Sequence, residues 1–324
     1  MRVLVTGASG FIGTNFLEKM IADGHEVLNI DFKEPKIKER FNVWQNVDIT
    51  DYSEFEKAVL EFNPEYILHL AARTDLDGKT VEDYKANTVG VENLMKIVNN
   101  LPELKKVIIA SSKFVTPNGH KIKDQFDYCP HTTYGESKVI TEKNVWANPP
   151  QCDWCIIRPT SIWGPWFGVP YRNFFDMVMR KMYFHIGKIK CYKTYGYIGN
   201  AIYQIEQLLF NDTDDINNKV FYIGDEPAYE INEWADEIAK ELGFKVPTMP
   251  VWFVKSLAKF GDFLGLFGIH FPMQSFRFGN MTNDGINDMS STYEIAPDMP
   301  YTRLQGTKIT IDWIKNTERK GGNK

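Results

Sequence analysis

The chain has 324 residues, 43% of them hydrophobic and 24% charged, with a net charge of −5. That is a globular composition, long enough for one large domain or a domain with a smaller lobe. Net acidity removes the general electrostatic case for a nucleic-acid partner, and four scattered cysteines are too few for a disulfide framework, which fits a reducing, cytoplasmic compartment.

In chain order, Val3, Leu4 and Val5 form an apolar run suited to a buried parallel strand. With a strand beginning at Arg2, no signal or transit peptide is expected. Gly7-Ala8-Ser9-Gly10-Phe11-Ile12-Gly13 follows at once and leads into a helical stretch. In such a loop the first glycine allows the tight turn, the second lets backbone approach a pyrophosphate, and the third lets helix pack on strand. A second strand, Val27–Ile30, ends at Asp31, with Phe32 after it, 18 residues past Gly13. A carboxylate there accepts hydrogen bonds from an adenosine ribose and repels a 2′-phosphate, which favours NAD; nearby Lys33 leaves NADP open.

Further strands are expected at Tyr66–Leu70, Lys106–Ala110, Trp154–Ile157 and Lys219–Gly224, and helices at Ser53–Phe62, Val81–Asn99 and Gly135–Trp146. Alternation of this kind predicts an α/β fold, a Rossmann-type doubly wound parallel sheet, with a smaller mixed α/β C-terminal lobe for substrate. The boundaries expected are 1–164 for the nucleotide-binding domain, rejoined by 194–226, and 165–193 with 227–324 for the lobe. Cys152 and Cys155 have no second pair to complete a zinc site, so no metal is expected; both are read as parts of a core strand. His69 is read as a packed strand histidine. The apolar stretch Pro250–Gly268 is interrupted by Lys255, Lys259 and Asp262, so it cannot span a membrane. Packing over the cleft or on the lobe core is expected of it, ahead of lying on a membrane surface. The basic cluster Lys315–Lys324 reads as a solvated end.

Tyr134-Gly-Glu-Ser-Lys138 sets a phenol and an ammonium four residues apart on one helix face. Ser111 and Ser112 directly follow the strand Lys106–Ala110, where strand ends meet the ligand crevice of such sheets. Free tyrosine titrates near 10, too high for a general base at neutral pH. An adjacent cation stabilises the phenolate, so that Tyr134 exchanges a proton with a substrate hydroxyl while Ser112 holds the reacting oxygen. Lys138 also donates to the nicotinamide ribose.

On these residues the chain resembles the extended short-chain dehydrogenase/reductases, more narrowly the NAD-dependent epimerase/dehydratase group acting on nucleotide sugars. Gly7–Gly13 matches that family's dinucleotide loop without a gap. The resemblance implies that Asp48-Ile49 contacts adenine and that Leu70-Ala71-Ala72 lies with its backbone against the cofactor. It implies that Asn87 orders the central strands beside that cofactor, that Pro159-Thr160 meets nicotinamide, and that Ser112, Tyr134 and Lys138 are catalytic. Arg73 and Thr74 are candidates to face substrate, as is Ser161, which stands where many members carry an asparagine. Ile198-Gly199-Asn200 and Thr116-Pro117 depart from the family pattern, and the dehydratase triplet is absent, with Ser112-Lys113-Phe114 in its place. The activity implied is hydride transfer at C4 of a nucleotide-diphosphate sugar, as 4-epimerase or 4-ketoreductase. The alternatives are a 3β-hydroxysteroid-dehydrogenase-like oxidoreductase on a hydrophobic alcohol, or a non-catalytic NAD(P) sensor. Helices 81–99 and 135–146 resemble the family's dimer interface, so a homodimer is expected. Trp163, Trp166, Phe167 and Tyr171 line either the sugar pocket or the lobe core.

Overall fold

The computed structural model describes residues 1–269 and 271–321, the last two as backbone only; the end of the basic cluster, 322–324, lies outside the described residues. Seven parallel strands form the main sheet: β1 (Arg2–Thr6), β2 (Glu26–Ile30), β3 (Trp44–Gln45), β4 (Tyr66–His69), β5 (Lys106–Ala110), β6 (Asp153–Pro159) and the strand Lys219–Ile223. Their order across the sheet is β3-β2-β1-β4-β5-β6 and then 219–223, which places the reversal of direction between β1 and β4. Register aligns Thr6 with both Ile30 and His69, and His69 with Ile109. The residues that follow these four therefore share one edge: Gly7, Asp31, Leu70 and Ala110-Ser111.

The central strands are buried on both faces, as their continuous apolar runs require. Helices α1 (Phe11–Ala22), α2 (Tyr52–Phe62), α3 (Lys85–Val98) and α4 (Thr133–Ala147) supply the crossovers. Asp51 caps α2 by accepting the Glu54 N–H, and Thr132 caps α4 by accepting that of Gly135. The single helix expected over 81–99 is instead a 3-10 turn, Val81–Tyr84, followed by α3. A capping box between Thr80 and Asp83 starts the turn, and Tyr84 leaves helical geometry at φ −112° and ψ 38°. Tyr66–His69 stops one residue short of the strand expected.

By contacts the chain divides into two units, the first comprising 1–160, 198–224 and 288–300, the second the remainder. Three assignments differ from the boundaries read in sequence, the smallest being 225–226, which belong to the second unit. Residues 288–300 belong to the first unit, because the Thr292 hydroxyl donates to the Tyr222 carbonyl at 2.6 Å. Residues 161–164 and 194–197 belong to the second, because Ser161–Trp163 pairs with Tyr195–Tyr197. The core of the second unit is aromatic: Trp163, Phe175, Tyr197 and Trp234 stack around one another, with Phe167 buried alongside. Of the two roles left open for the aromatic run, lobe core is the one Trp163 and Phe167 fill.

In the first unit, one buried ion pair ties helix to sheet. Arg158 of β6 donates to Glu142 of α4 through Nε at 2.8 Å and Nη2 at 2.7 Å, and both side chains are essentially excluded from solvent. Ser111 and Tyr128 donate to the same carboxylate, while Arg158 also reaches the Gln125 carbonyl and the Tyr222 hydroxyl. Removing one member of such a pair strands the other charge in a dry interior. Glu142→Ala is accordingly expected to cost about 3–5 kcal/mol in denaturant unfolding. The double change Glu142→Leu with Arg158→Met should cost clearly less than the sum of the two single losses.

Candidate active site

The loop after β1 closes tightly. Gly7 has φ +74°, and a Cβ there would lie 2.6 Å from the Ala71 nitrogen; one on Gly13 would lie 2.4 Å from the Ala8 Cα. Only glycine lets the turn, the head of α1 and the Leu70–Ala72 segment approach this closely. At Gly10 a Cβ would meet only the Gly7 carbonyl, at 3.0 Å. No side chain caps α1, and its first turn has no acid. Phe11 and Ile12 thus open a helix whose N-terminal dipole suits an anion, the arrangement a dinucleotide pyrophosphate needs.

Asn29 was not singled out in the sequence, yet it fixes this loop. Buried on β2, it accepts the Ala8 N–H at 3.1 Å and donates to the Ser9 hydroxyl at 3.1 Å. A polar residue in an otherwise apolar strand was the signal available. Asp31 accepts the N–H groups of Ser9 and Lys33 on its two oxygens, at 3.1 and 2.9 Å. Burial raises its pKa and those bonds oppose the rise. Phe32 is largely exposed, with the Lys33 amine over its ring. Asp48 accepts from the Thr50 N–H and hydroxyl, while the Ile49 side chain is buried against Gly90. The Ile49 side chain is therefore packed inward, and its carbonyl accepts from the Asn93 amide at 3.0 Å.

The neighbouring turn is fastened by Thr6, whose carbonyl accepts the Leu70 N–H and whose hydroxyl accepts that of Ala71. The same hydroxyl lies 2.8 Å from His69 Nδ1. Burial, with the charge of Lys138 second, lowers the His69 pKa to about 3, so its imidazole is neutral at neutral pH. Asn87 accepts the Arg73 N–H and donates to the Arg73 carbonyl and the Ser137 hydroxyl, at 2.8, 3.0 and 2.9 Å. It thereby joins the 71–73 turn to α4.

On α4, Tyr134 and Lys138 lie one turn apart and both are buried. The Lys138 amine donates to the Ala110 carbonyl at 2.8 Å, and burial lowers its pKa to about 8 against the opposing charge of Glu142. Two residues on, the Ser112 hydroxyl accepts the Phe114 N–H at 3.2 Å and starts the turn Lys113–Val115. The Phe114 carbonyl sits where a Cβ on Gly135 would come within 2.3 Å, and its ring centroid is 5.8 Å from that of Tyr134. Glycine next to the tyrosine is what lets this turn press against the head of α4. Ser112, Tyr134 and Lys138 are thus gathered at the end of β5.

Other expected residues are engaged differently. The Arg73 guanidinium pairs with Asp75 at 2.9 Å and donates to the Asp83 carbonyl, bracing its own loop, while Thr74 is exposed. Pro159 closes β6, and the Thr160 hydroxyl donates to the Ile223 carbonyl at 2.8 Å. Ser161 belongs to the second unit, where it hydrogen-bonds Tyr171. Cys152 and Cys155 are free thiols, both raised to about 12 by burial.

Residues 3–199 match the family model described as the NAD dependent epimerase/dehydratase family. An N-acetyl-alpha-D-glucosaminyl-diphospho-ditrans,octacis-undecaprenol 4-epimerase of Escherichia coli O157:H7 is 25% identical over 96% of this chain and 94% of its own. A UDP-glucose 4-epimerase of Mycolicibacterium smegmatis is 31% identical over 51% of this chain and 57% of its own. Among solved structures, the UDP-glucose 4-epimerase of Thermotoga maritima superposes with a TM-score of 0.74, at 21% identity, covering 98% of this chain and 99% of that one.

The buried amine gives a test of the site itself. Between about pH 8 and 10.5 the unfolded chain holds a proton on Lys138 that the folded chain has released, so this group's contribution to stability rises with pH across that window. Below pH 8 the full burial penalty, about 3 kcal/mol, is present. Lys138→Met should therefore raise the thermal midpoint at pH 7, and the advantage should fade toward pH 10.5.

Proposed function

The chain belongs to the NAD dependent epimerase/dehydratase family, and we propose that it is a 4-epimerase that oxidises and re-reduces C4 of a sugar diphosphate. Bound NAD supplies the hydride acceptor and donor of that chemistry. The loop Gly7–Gly13 with the head of α1 would hold its pyrophosphate, Asp31 its adenosine ribose, Asp48 and Ile49 its adenine. Leu70–Ala72, Pro159 and Thr160 would border the nicotinamide half. Tyr134 takes the proton from the sugar hydroxyl as its carbon is oxidised and returns it on reduction. Lys138, held at the Ala110 carbonyl, keeps a cation one turn from the phenol and donates to the ribose. Ser112 donates to the reacting oxygen. Asn87 positions, since its amide is engaged by Arg73 and Ser137. The observation that carries the reading is the fixing of Ser112, Tyr134 and Lys138 around one strand end.

Tyr134→Phe should lower kcat by about 10²–10⁴ while NAD binding survives; full turnover by this variant would overturn the mechanism. Protein that carries NAD and interconverts UDP-sugars without added cofactor supports epimerase over ketoreductase, which would consume NAD(P)H stoichiometrically. UDP raising the melting temperature would exclude the sterol-type alternative.

A second reading of the substrate has one observation behind it: the relative aligned over 96% of the chain acts on a sugar diphosphate joined to a polyprenol. The C4 chemistry is unchanged, and only the group beyond the diphosphate differs. Turnover of N-acetylglucosaminyl-diphospho-polyprenol but not of UDP-sugars would select it.

The same reading includes a homodimer through the outward faces of α3 and α4, which carry Val89 and Ile140 among charged residues; at α4 a groove is lined by Tyr128, His131 and Lys143. Sedimentation should show a dimer at micromolar concentration; a monomer would reject it. Four free cysteines suit a cytoplasmic location.

A further inference from the structure

The helix Val251–Gly265, within the second unit, is apolar on two sides. Val254, Ala258 and Gly261, at helical spacing, are buried near Ile186 and Met273, and a Cβ on Gly261 would lie 1.9 Å from the Met273 carbonyl oxygen. That stripe seats the helix on its own unit, as expected from sequence, and the opposite side of a surface helix is ordinarily polar. Here it is not. Trp252 is 71% exposed and Phe263 55%, Leu266 and Phe267 just past the helix end are 81% and 67% exposed, and Phe276 on the following helix is 80% exposed. Phe260 adds to the same arc. Single exposed apolar residues are ordinary, but so many large ones on one short segment mark a surface that is covered in use.

The charges on this segment identify what covers it. Lys255, Lys259 and Arg277 are exposed, against one acid, Asp262, which accepts the Ser275 N–H. A locally positive surface thus stands in a chain of net charge −5. A two-fold contact between copies would bring this net-positive patch against itself, whereas anionic lipid headgroups complement it. The helix has 15 residues, about 22 Å, too short to cross a hydrocarbon core of about 30 Å but suited to lie along its boundary. Lysine stems extend from such a position to the phosphates.

We propose that this face seats the protein on the surface of an anionic lipid bilayer. The inference stands apart from the chemistry proposed above, although a sugar carried on a polyprenyl diphosphate would be met at the same surface. The test is flotation of the full chain with vesicles of phosphatidylcholine alone or with about one third phosphatidylglycerol. Wild type should float with the anionic vesicles, less with the neutral ones, and less as salt is raised. Phe260→Glu, Phe263→Glu and Phe267→Glu together should lower partitioning about a hundredfold, and Lys255→Glu with Lys259→Glu about tenfold. Both lysines are exposed, so that pair keeps the test valid should the triple variant fold poorly. Wild type that stays in solution, or lysine and phenylalanine variants that float as it does, would overturn the proposal. So would a wild-type dimer that the triple variant converts to monomer while neither binds vesicles, since the face then belongs to a second copy.

Discussion

Arg158 and Glu142 meet in a dry interior, and their pairing sets the position of everything at the sheet's ligand edge. The carboxylate gathers Arg158 from β6, Ser111 from the end of β5 and Tyr128 from the approach to α4. Glu142 lies one turn beyond Lys138 and two beyond Tyr134 on the same helix face. Placing Glu142 therefore fixes the rotation of α4 and sets both residues at the sheet edge beside Ser112. Burial makes the arrangement costly to disturb and leaves little freedom for α4 to turn about its axis.

The same low dielectric acts in two directions. It lowers the Lys138 pKa toward neutrality, so the amine is held charged at some cost, and that tension is what makes it useful beside a phenol. It also keeps His69 neutral, so that no second cation competes there. Asn87 completes the arrangement without ionising: with both ends of its amide bonded, it holds a strand-end turn and a helix in one geometry at every pH.

Much of this was legible in the chain. Continuous apolar runs and glycines spaced by three revealed β1, the loop and α1, because buried parallel strands and tight turns admit few other residues. The Tyr134–Lys138 spacing revealed the helix face. The role of Asn29 was not legible, since its partners Ala8 and Ser9 lie some twenty residues away and only the fold brings them near. Arg73 shows the opposite case: a cation after the strand end looks free in sequence, and its partner Asp75 stands two residues on. Chain order suggests the lobe for the 288–300 segment, whereas its packing on Ile198–Phe210 and Lys219–Ile223, with Thr292 bonding the Tyr222 carbonyl, returns it to the first unit. Helix Val251–Gly265 showed its apolar content but not which half of it would remain uncovered, because that depends on where Met273 comes back against it.

The sheet's two rims differ in a way that bears on how the chain survives at high concentration. At one rim β3 contributes only Trp44 and Gln45. A stray strand arriving there finds a two-residue ladder, too short to template further pairing. The other rim is the full strand Lys219–Ile223, whose neighbour is β6. Its outer side is accompanied by the helix Ser290–Ile295, from which Thr292 bonds the Tyr222 carbonyl. A short segment returning late in the chain thus shields the longer rim from self-assembly into fibrils.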